Sequence, residues 1–264
     1  MNMKFVALLF FILSSFIAQS QILNIERYKI EKDTTKHFMF KTTFGLNIFN
    51  RSASEDSPVN LFGYNLDVNA MYYPDKHAYI LVSKFDYLRI NDNDFLNFGF
   101  LHGRINFLRE NKLNYDVFTQ YSYDNFRGLD PRIIVGGSLR YNLIKNESLS
   151  LVLGVGGFFE SERWLNPMTE ETVEINLFKN SNYLSFRYTI NEILDLNTMN
   201  YYQVGYDDSI NGFRNRISSI TTLNTKISSW FSLTNTLEIN YEDRPVVPIT
   251  RLIFAFRTGI SVDF

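Results

Sequence analysis

The chain has 264 residues and no cysteine. That absence excludes a disulfide framework, a thiolate zinc site, an iron–sulfur cluster, a cysteine nucleophile and a lipid-modified N-terminal cysteine. Excess charge is missing too. Lys+Arg number 26 against 28 Asp+Glu, a net of −2, which argues against a strongly basic nucleic-acid binder. Charged residues are only 20% of the chain while aromatics are 16%, the reverse of a disordered composition. Long hydrophobic runs are scarce. A helical membrane bundle needs several apolar runs of about 20 residues. Only residues 5–18 come near, and that run is too short.

This one run reads as an address. Met1, Asn2, Met3 and Lys4 form a short basic start, the apolar run follows, and Ala18-Gln19-Ser20 supplies small residues for cleavage. The pattern is that of a secretory signal peptide over 1–20. A short periplasmic lead, 21–36, and a single domain, 37–264, are expected after it.

The remainder alternates with period two. Positions 252, 254, 256, 258, 260, 262 and 264 are Leu, Phe, Phe, Thr, Ile, Val and Phe, and the residues between them are mostly polar or small. Such alternation is a strand with one apolar and one polar face. The pattern recurs around Phe62–Tyr72, Leu113–Tyr123, Ile133–Leu143 and Phe231–Tyr241. The expected strands are 37–49, 60–73, 77–89, 96–108, 113–123, 132–143, 149–160, 182–191, 196–206, 216–227, 230–241 and 251–264. Segments 77–89, 96–108 and 216–227 alternate poorly, so ten strands is the alternative to twelve.

Most of these strands are about twice the usual 5–6 residues of soluble sheets. A transmembrane strand needs about 9–11. Periodicity does not reveal which way the apolar face points; strand length and the signal peptide decide for lipid. Connection lengths agree. The odd-numbered connections, 50–59, 90–95, 124–131, 161–181, 207–215 and 242–250, each exceed every even-numbered one, 74–76, 109–112, 144–148, 192–195 and 228–229. Outer-membrane barrels have short periplasmic turns, longer external loops and an even strand count. The chain ends on Phe264, with Phe254, Phe256, Ile260 and Val262 on the same face. This looks like the terminal strand that barrel-assembly machinery reads, an edge offered for β-augmentation.

The stretch 120–141, with Phe126-Arg127-Gly128-Leu129 before a glycine-rich strand and Gly154 to Gly157 in the next, resembles the salt-induced outer-membrane protein family, domain of unknown function 481. Asn24 to Ile30 and Tyr87 to Phe107 look similar to its Bacteroidetes-type, Gram-negative members. The resemblance implies an outer-membrane barrel with no established activity.

No catalytic constellation stands out. A barrel lipase or deacylase needs a His with a Ser beside it on one face. His37, His77 and His102 are followed by Phe38-Met39, Ala78-Tyr79 and Gly103-Arg104. Asp207-Asp208 falls in an expected external loop, but no His does, as an omptin-like protease would require. Glu162, Glu170, Glu171 and Glu174, with Glu160 at the base of the longest loop, have carboxylates of the kind that bind Ca²⁺ or Mg²⁺, but read better as a solvated face. No metal or cofactor is expected.

The inward face carries mixed charges: Lys41, Asp67, Asp116, Arg132, Arg140, Glu160, Arg187, Glu238, Arg251 and Arg257. In a narrow lumen they either pair across the walls or line a conducting path. Twelve strands lie between the filled eight-stranded and the open sixteen-stranded case. Met71, Phe118, Phe158 and Tyr201 would narrow the lumen, so occlusion is favoured. Tyr72, Tyr73, Tyr121, Tyr123, Tyr141, Tyr201, Tyr202, Tyr206 and Tyr241 suit interfacial girdles, or ordinary cross-strand aromatic pairs.

The expectation is an all-β, single antiparallel transmembrane barrel of twelve strands in the bacterial outer membrane. It would be a monomer, in contact with outer-membrane lipid and the barrel-assembly machinery, with no nucleic acid. Its role would be structural, envelope-adapting or that of a narrow channel, and not that of an enzyme. The rivals are an outer-membrane phospholipase or deacylase and a secreted soluble barrel binding an apolar ligand.

Overall fold

The structure is a computed structural model that describes residues 37–52, 58–74, 76–228 and 231–262. The expected signal peptide and lead, and Phe264, lie outside the described residues, as do the side chains of Lys41 and Val262.

Twelve strands form one antiparallel sheet in chain order. They are β1 (Phe38–Ser52), β2 (Pro58–Tyr72), β3 (Ala78–Ile90), β4 (Asn93–Phe107), β5 (Leu113–Asp124), β6 (Leu129–Lys145), β7 (Leu149–Leu165), β8 (Thr172–Thr189), β9 (Leu194–Asp207), β10 (Gly212–Lys226), β11 (Phe231–Glu242) and β12 (Leu252–Val262). Helical turns interrupt the ladder at Asn125–Arg127 and Asp208–Ile210, each capped by an aspartate side chain, Asp124 or Asp207. No helix among the described residues is long and apolar enough to cross a membrane.

The expected contrast in connection length is overturned. The third connection, read as 90–95, is only the turn at Asn91 and Asp92. The seventh connection, read as 161–181, is mostly strand: β7 runs to Leu165 and β8 starts at Thr172. The cause is legible in the residues. From Thr172 to Leu177 polar and apolar side chains still alternate, so the ladder continues and Glu174 rides on it. The extra length at this end of the sheet is carried by hydrogen-bonded hairpin as well as by loop.

The sheet curls, giving two unlike faces. Arg216 on β10 reaches Glu160 and Glu162 on β7, past two intervening strands. Alternate residues along most of the strands therefore turn into an enclosed side. Along β5, Asn114, Asp116, Gln120, Ser122 and Asp124 are buried, while Leu113, Tyr115, Val117 and Tyr121 are exposed. The outer face continues through Phe40, Phe44, Val135, Phe159, Phe178, Phe254, Phe256 and Ile260, all exposed. Cross-strand rings decorate it, as in the stacked pairs Tyr64–Tyr87 and Tyr72–Tyr79. Tyr64 and Tyr72 are eight positions apart on β2, about 27 Å along a strand.

Two of the three poorly alternating segments, β3 and β4, have a reason to be so. Ile80, Val82, Phe98 and Phe100 are buried with Met71 as an apolar cluster on the enclosed face. With apolar residues outside as well, these strands show little contrast.

One close approach fixes a glycine. The ring of Tyr183 on β8 lies over Gly154 on β7, where a Cβ would overlap it. Gly154→Ala is expected to lower stability by about 1–3 kcal/mol. Gly259→Ala, where a Cβ meets nothing, should stay within about 0.5 kcal/mol. Urea unfolding of refolded protein compares them.

Candidate functional site

The enclosed face gathers its charges at two levels. The larger group joins β6, β7, β8, β10 and β11. Glu160, 1% exposed, accepts from Arg132 Nε at 2.6 Å and from Arg216 Nη1 at 3.0 Å, and pairs with Lys179 through its other oxygen. Glu162 takes Arg132 Nε at 3.1 Å and Arg216 Nη2 at 3.2 Å. Arg216 Nε donates to Glu242 at 2.5 Å, and Trp164 Nε1 donates to Glu162 at 2.9 Å. Arg127 lies over the Trp164 ring. Buried charges of this kind hold together only when each is paired and hydrogen-bonded, and here one arginine answers three carboxylates on two walls.

The second group joins β4, β5 and β6. Arg104 and Arg140 share one carboxylate: their Nη1 atoms lie 3.6 and 3.7 Å from Asp116 Oδ2. Asn106 Nδ2 donates to Asp116 Oδ1 at 2.6 Å. Arg104 and His102 both lie against the Phe118 ring, and Arg140 lies against Tyr183. Between the two groups is a cavity of about 120 Å³, lined among others by His102, Arg104, Phe118, Phe158, Tyr183, Tyr201 and Arg216.

The connection 243–251 closes over one end. Its Val247, 3% exposed, packs on Leu129 and Trp164, with Val246, Ile249 and Val173 around them. Asp243 pins the segment by accepting from Asn215 N at 2.7 Å and Asn215 Nδ2 at 2.8 Å. Arg214 donates to the Arg244 carbonyl.

Of the expected lumen residues, Asp116, Arg132, Arg140, Glu160 and Glu238 are buried on the enclosed face. Asp67, Arg187 and Arg257 are half-buried. Arg187 meets Asp195 at 3.6 Å, and Arg257 meets Glu238 at 2.7 Å. Arg251, just before β12, is exposed and lies among the residues that line the cavity. Lys41 sits opposite Asn69 in the β1–β2 register. Of the expected assembly face, Phe254, Phe256 and Ile260 are more than half exposed.

Glu162 is corrected outright. Expected in a solvated loop, it is a strand residue bound by two arginines and an indole. Glu170, Glu171 and Glu174 are exposed, as a solvated face requires. Tyr201, expected both among the girdle candidates and among the residues that narrow the lumen, lies against Tyr183 and lines the cavity. Sequence reading missed Arg104, Lys179, Arg216 and Glu242. Arg216 shares parity with buried Ser218, Ile220 and Thr222, so its direction was available from period two. Arg104 was hidden by the weak alternation of β4, and Lys179 by the misread loop.

An all-β sheet, apolar outside and ion-paired within, defines the class of protein. Residues 60–247 match the model of the family described as "Protein of unknown function, DUF481", and the chain belongs to that family. Among solved structures, it is similar to the NanC porin in a rhombohedral crystal form at 13% identity, covering 83% of this chain and all of that one, with a TM-score of 0.44. It is also similar to a loop L8 deletion mutant of OmpT, an outer membrane protein of Vibrio cholerae. There the identity is 12%, covering 86% of this chain and 99% of that one, with a TM-score of 0.28. No curated protein matches.

Two outcomes are expected. Glu160→Ala leaves Arg132, Lys179 and Arg216 without their shared partner. It should destabilise the refolded protein by about 3–5 kcal/mol in urea titration, Glu160→Gln by less. Burial opposes the Asp243 charge, but the hydrogen bonds from Asn215 and Arg244 prevail and hold its carboxyl below the ordinary aspartate range. A lowered folded-state value means stabilisation that is present above the unfolded value and lost as pH falls through the folded one. Amide exchange at 243–251 should therefore quicken, relative to its chemical rate, below about pH 4, and Asp243→Asn should blunt that change.

Proposed function

We propose that this chain is a monomeric outer-membrane β-barrel, with β1 meeting β12 to close the wall, and that its lumen is occluded. The observation that carries the proposal is the opposition of the two faces. Phe, Ile, Leu and Val cover the outer side of nearly every strand, while buried charges meet in pairs on the inner side. In water such an outer face would drive aggregation; against lipid it is the stable arrangement, and closure leaves no unpaired edge. At a strand tilt of about 40° the two tyrosine levels on β2 stand about 20 Å apart along the membrane normal, near the height of an apolar band of about 25 Å. β12, with Phe254, Phe256 and Ile260 on its outer side, is the strand we assign to recognition by the assembly machinery.

The role that fits is structural or envelope-adapting. The Glu160 network ties distant walls together, and Val247 with Leu129 and Trp164 plugs one end. We assign no enzymatic activity: His102 is packed between Phe100, Phe118 and Gln120, with no serine adjacent to it in sequence. A narrow channel is the second reading, favoured by the cavity and by exposed Arg251 at its edge.

Refolded protein should migrate differently on gels before and after boiling, and planar bilayers containing it should show no steady ohmic steps. Identical migration with detergent-free solubility would refute the barrel. Regular steps would refute occlusion and establish the channel. Val135→Arg, on the outer face of β6, should weaken bilayer stability by about 2–4 kcal/mol if it lies at mid-depth, read by denaturant titration in vesicles.

A further inference from the structure

The buried cations on the cavity wall are answered within the protein. Asp116 faces Arg104, and Glu160, Glu162 and Glu242 answer Arg216. What stays open there is hydrogen bonding. Among the described residues, His102 Nε2, Arg104 Nε, Tyr183 Oη, Gln203 Oε1 and Asn240 Nδ2 are buried atoms that meet no hydrogen-bond partner. All five residues line the cavity, and they come from β4, β8, β9 and β11. His102, Arg104 and Tyr183 are each more than nine-tenths buried. Native interiors leave few polar groups in this state, and five around one cavity ask for partners inside it.

Their chemistry specifies the complement. Arg104 Nε and Asn240 Nδ2 only donate, Gln203 Oε1 only accepts, and Tyr183 Oη does either. His102 Nδ1 lies 3.4 Å from Gln120 Oε1; when it donates there, Nε2 is left as an acceptor. Donors and acceptors are thus balanced. A carboxylate would set its lone pairs against those of Gln203 and His102, and an ammonium would meet the two donors. Hydroxyls fit the mixture, since each donates and accepts. Water would serve the same bonds, but Phe118, Phe158 and Tyr201 line the cavity too, and wetted rings forgo the gain of apolar contact. A carbon ring bearing several hydroxyls suits both kinds of wall. At about 10–15 Å³ for each water the cavity has room for roughly ten, which is ample for a monosaccharide.

We propose that this cavity binds one neutral cyclic polyol of monosaccharide size. Its hydroxyls donate to Gln203 and His102 and accept from Arg104 and Asn240, Tyr183 completes the set, and Phe118, Phe158 and Tyr201 cover its carbon skeleton. The site lies on the enclosed face and is independent of whether the lumen conducts.

The test is calorimetric titration of the refolded protein in detergent with glucose, galactose, mannose and myo-inositol, set against cyclohexanol and sodium gluconate. At least one of the four polyols should bind saturably. Cyclohexanol, with a single hydroxyl, and gluconate, with a charge, should each bind at least about tenfold more weakly. Tyr183→Phe keeps the ring that lies over Gly154 and removes one hydrogen-bonding group. It should weaken binding of that polyol about tenfold while boiling still shifts gel migration. If Tyr183→Phe does not refold, Gln203→Leu, at a half-buried position, carries the test with the same expected loss. Saturable binding by none of the four would mean that the cavity holds water only, and would overturn the site. Equal binding of cyclohexanol or gluconate, or an unchanged affinity in the refolded variant, would overturn it as well. None of these results bears on gel migration, so the barrel proposal stands or falls separately.

Discussion

A strand has only two directions in which to send its side chains, and successive residues take them in turn. Once one sheet of long strands curls upon itself, that parity decides every other property of this molecule. One parity class becomes a continuous outer surface of Phe, Leu, Ile, Val and Tyr. The other becomes a confined interior into which Arg132, Glu160, Glu162, Lys179 and Arg216 are all directed. A register slip of one residue would exchange the two sets and place guanidinium groups on the apolar side. The pairing between strands is thereby specified by chemistry as well as by backbone hydrogen bonds.

Confinement then dictates pairing. A carboxylate as deeply enclosed as Glu160 is tolerable because three cations converge on it, from β6, β8 and β10. The same logic brings Arg104 and Arg140 to Asp116. Around these polar centres the interior is filled by other means: the apolar cluster of Met71, Ile80, Val82, Phe98 and Phe100 on one side, and Val247 folding back onto Leu129 and Trp164 at one end.

Much of this was readable in the residues. Period two located the strands, and parity in β5, β6, β7 and β11 put Asp116, Arg132, Arg140, Glu160 and Glu238 on the enclosed side. Errors arose where the pattern lost contrast or was mistaken for something else. β3 and β4 carry apolar residues on both faces, so Arg104 could not be assigned a direction. The run of glutamates between Ser161 and Ser181 suggested a solvated loop, though polar and apolar positions alternate through most of it. Arg216 stood at the margin of a segment, 216–227, that alternates poorly. The spatial meeting of Arg216 with Glu160 is a different matter: it joins strands separated by more than fifty residues and depends on the curl of the sheet, which local pattern does not encode.

The direction of the apolar face is the claim on which the account rests, and the cysteine-free chain offers a clean way to measure it. Single cysteines placed along β6 from Arg132 to Tyr141, labelled with an environment-sensitive fluorophore in lipid vesicles, should give emission of period two. Positions 133, 135, 139 and 141 should report hydrocarbon and be quenched by lipid-borne nitroxide, while 132, 134, 138 and 140 should not. Uniform emission, or lipid quenching at the second set instead of the first, would contradict the account.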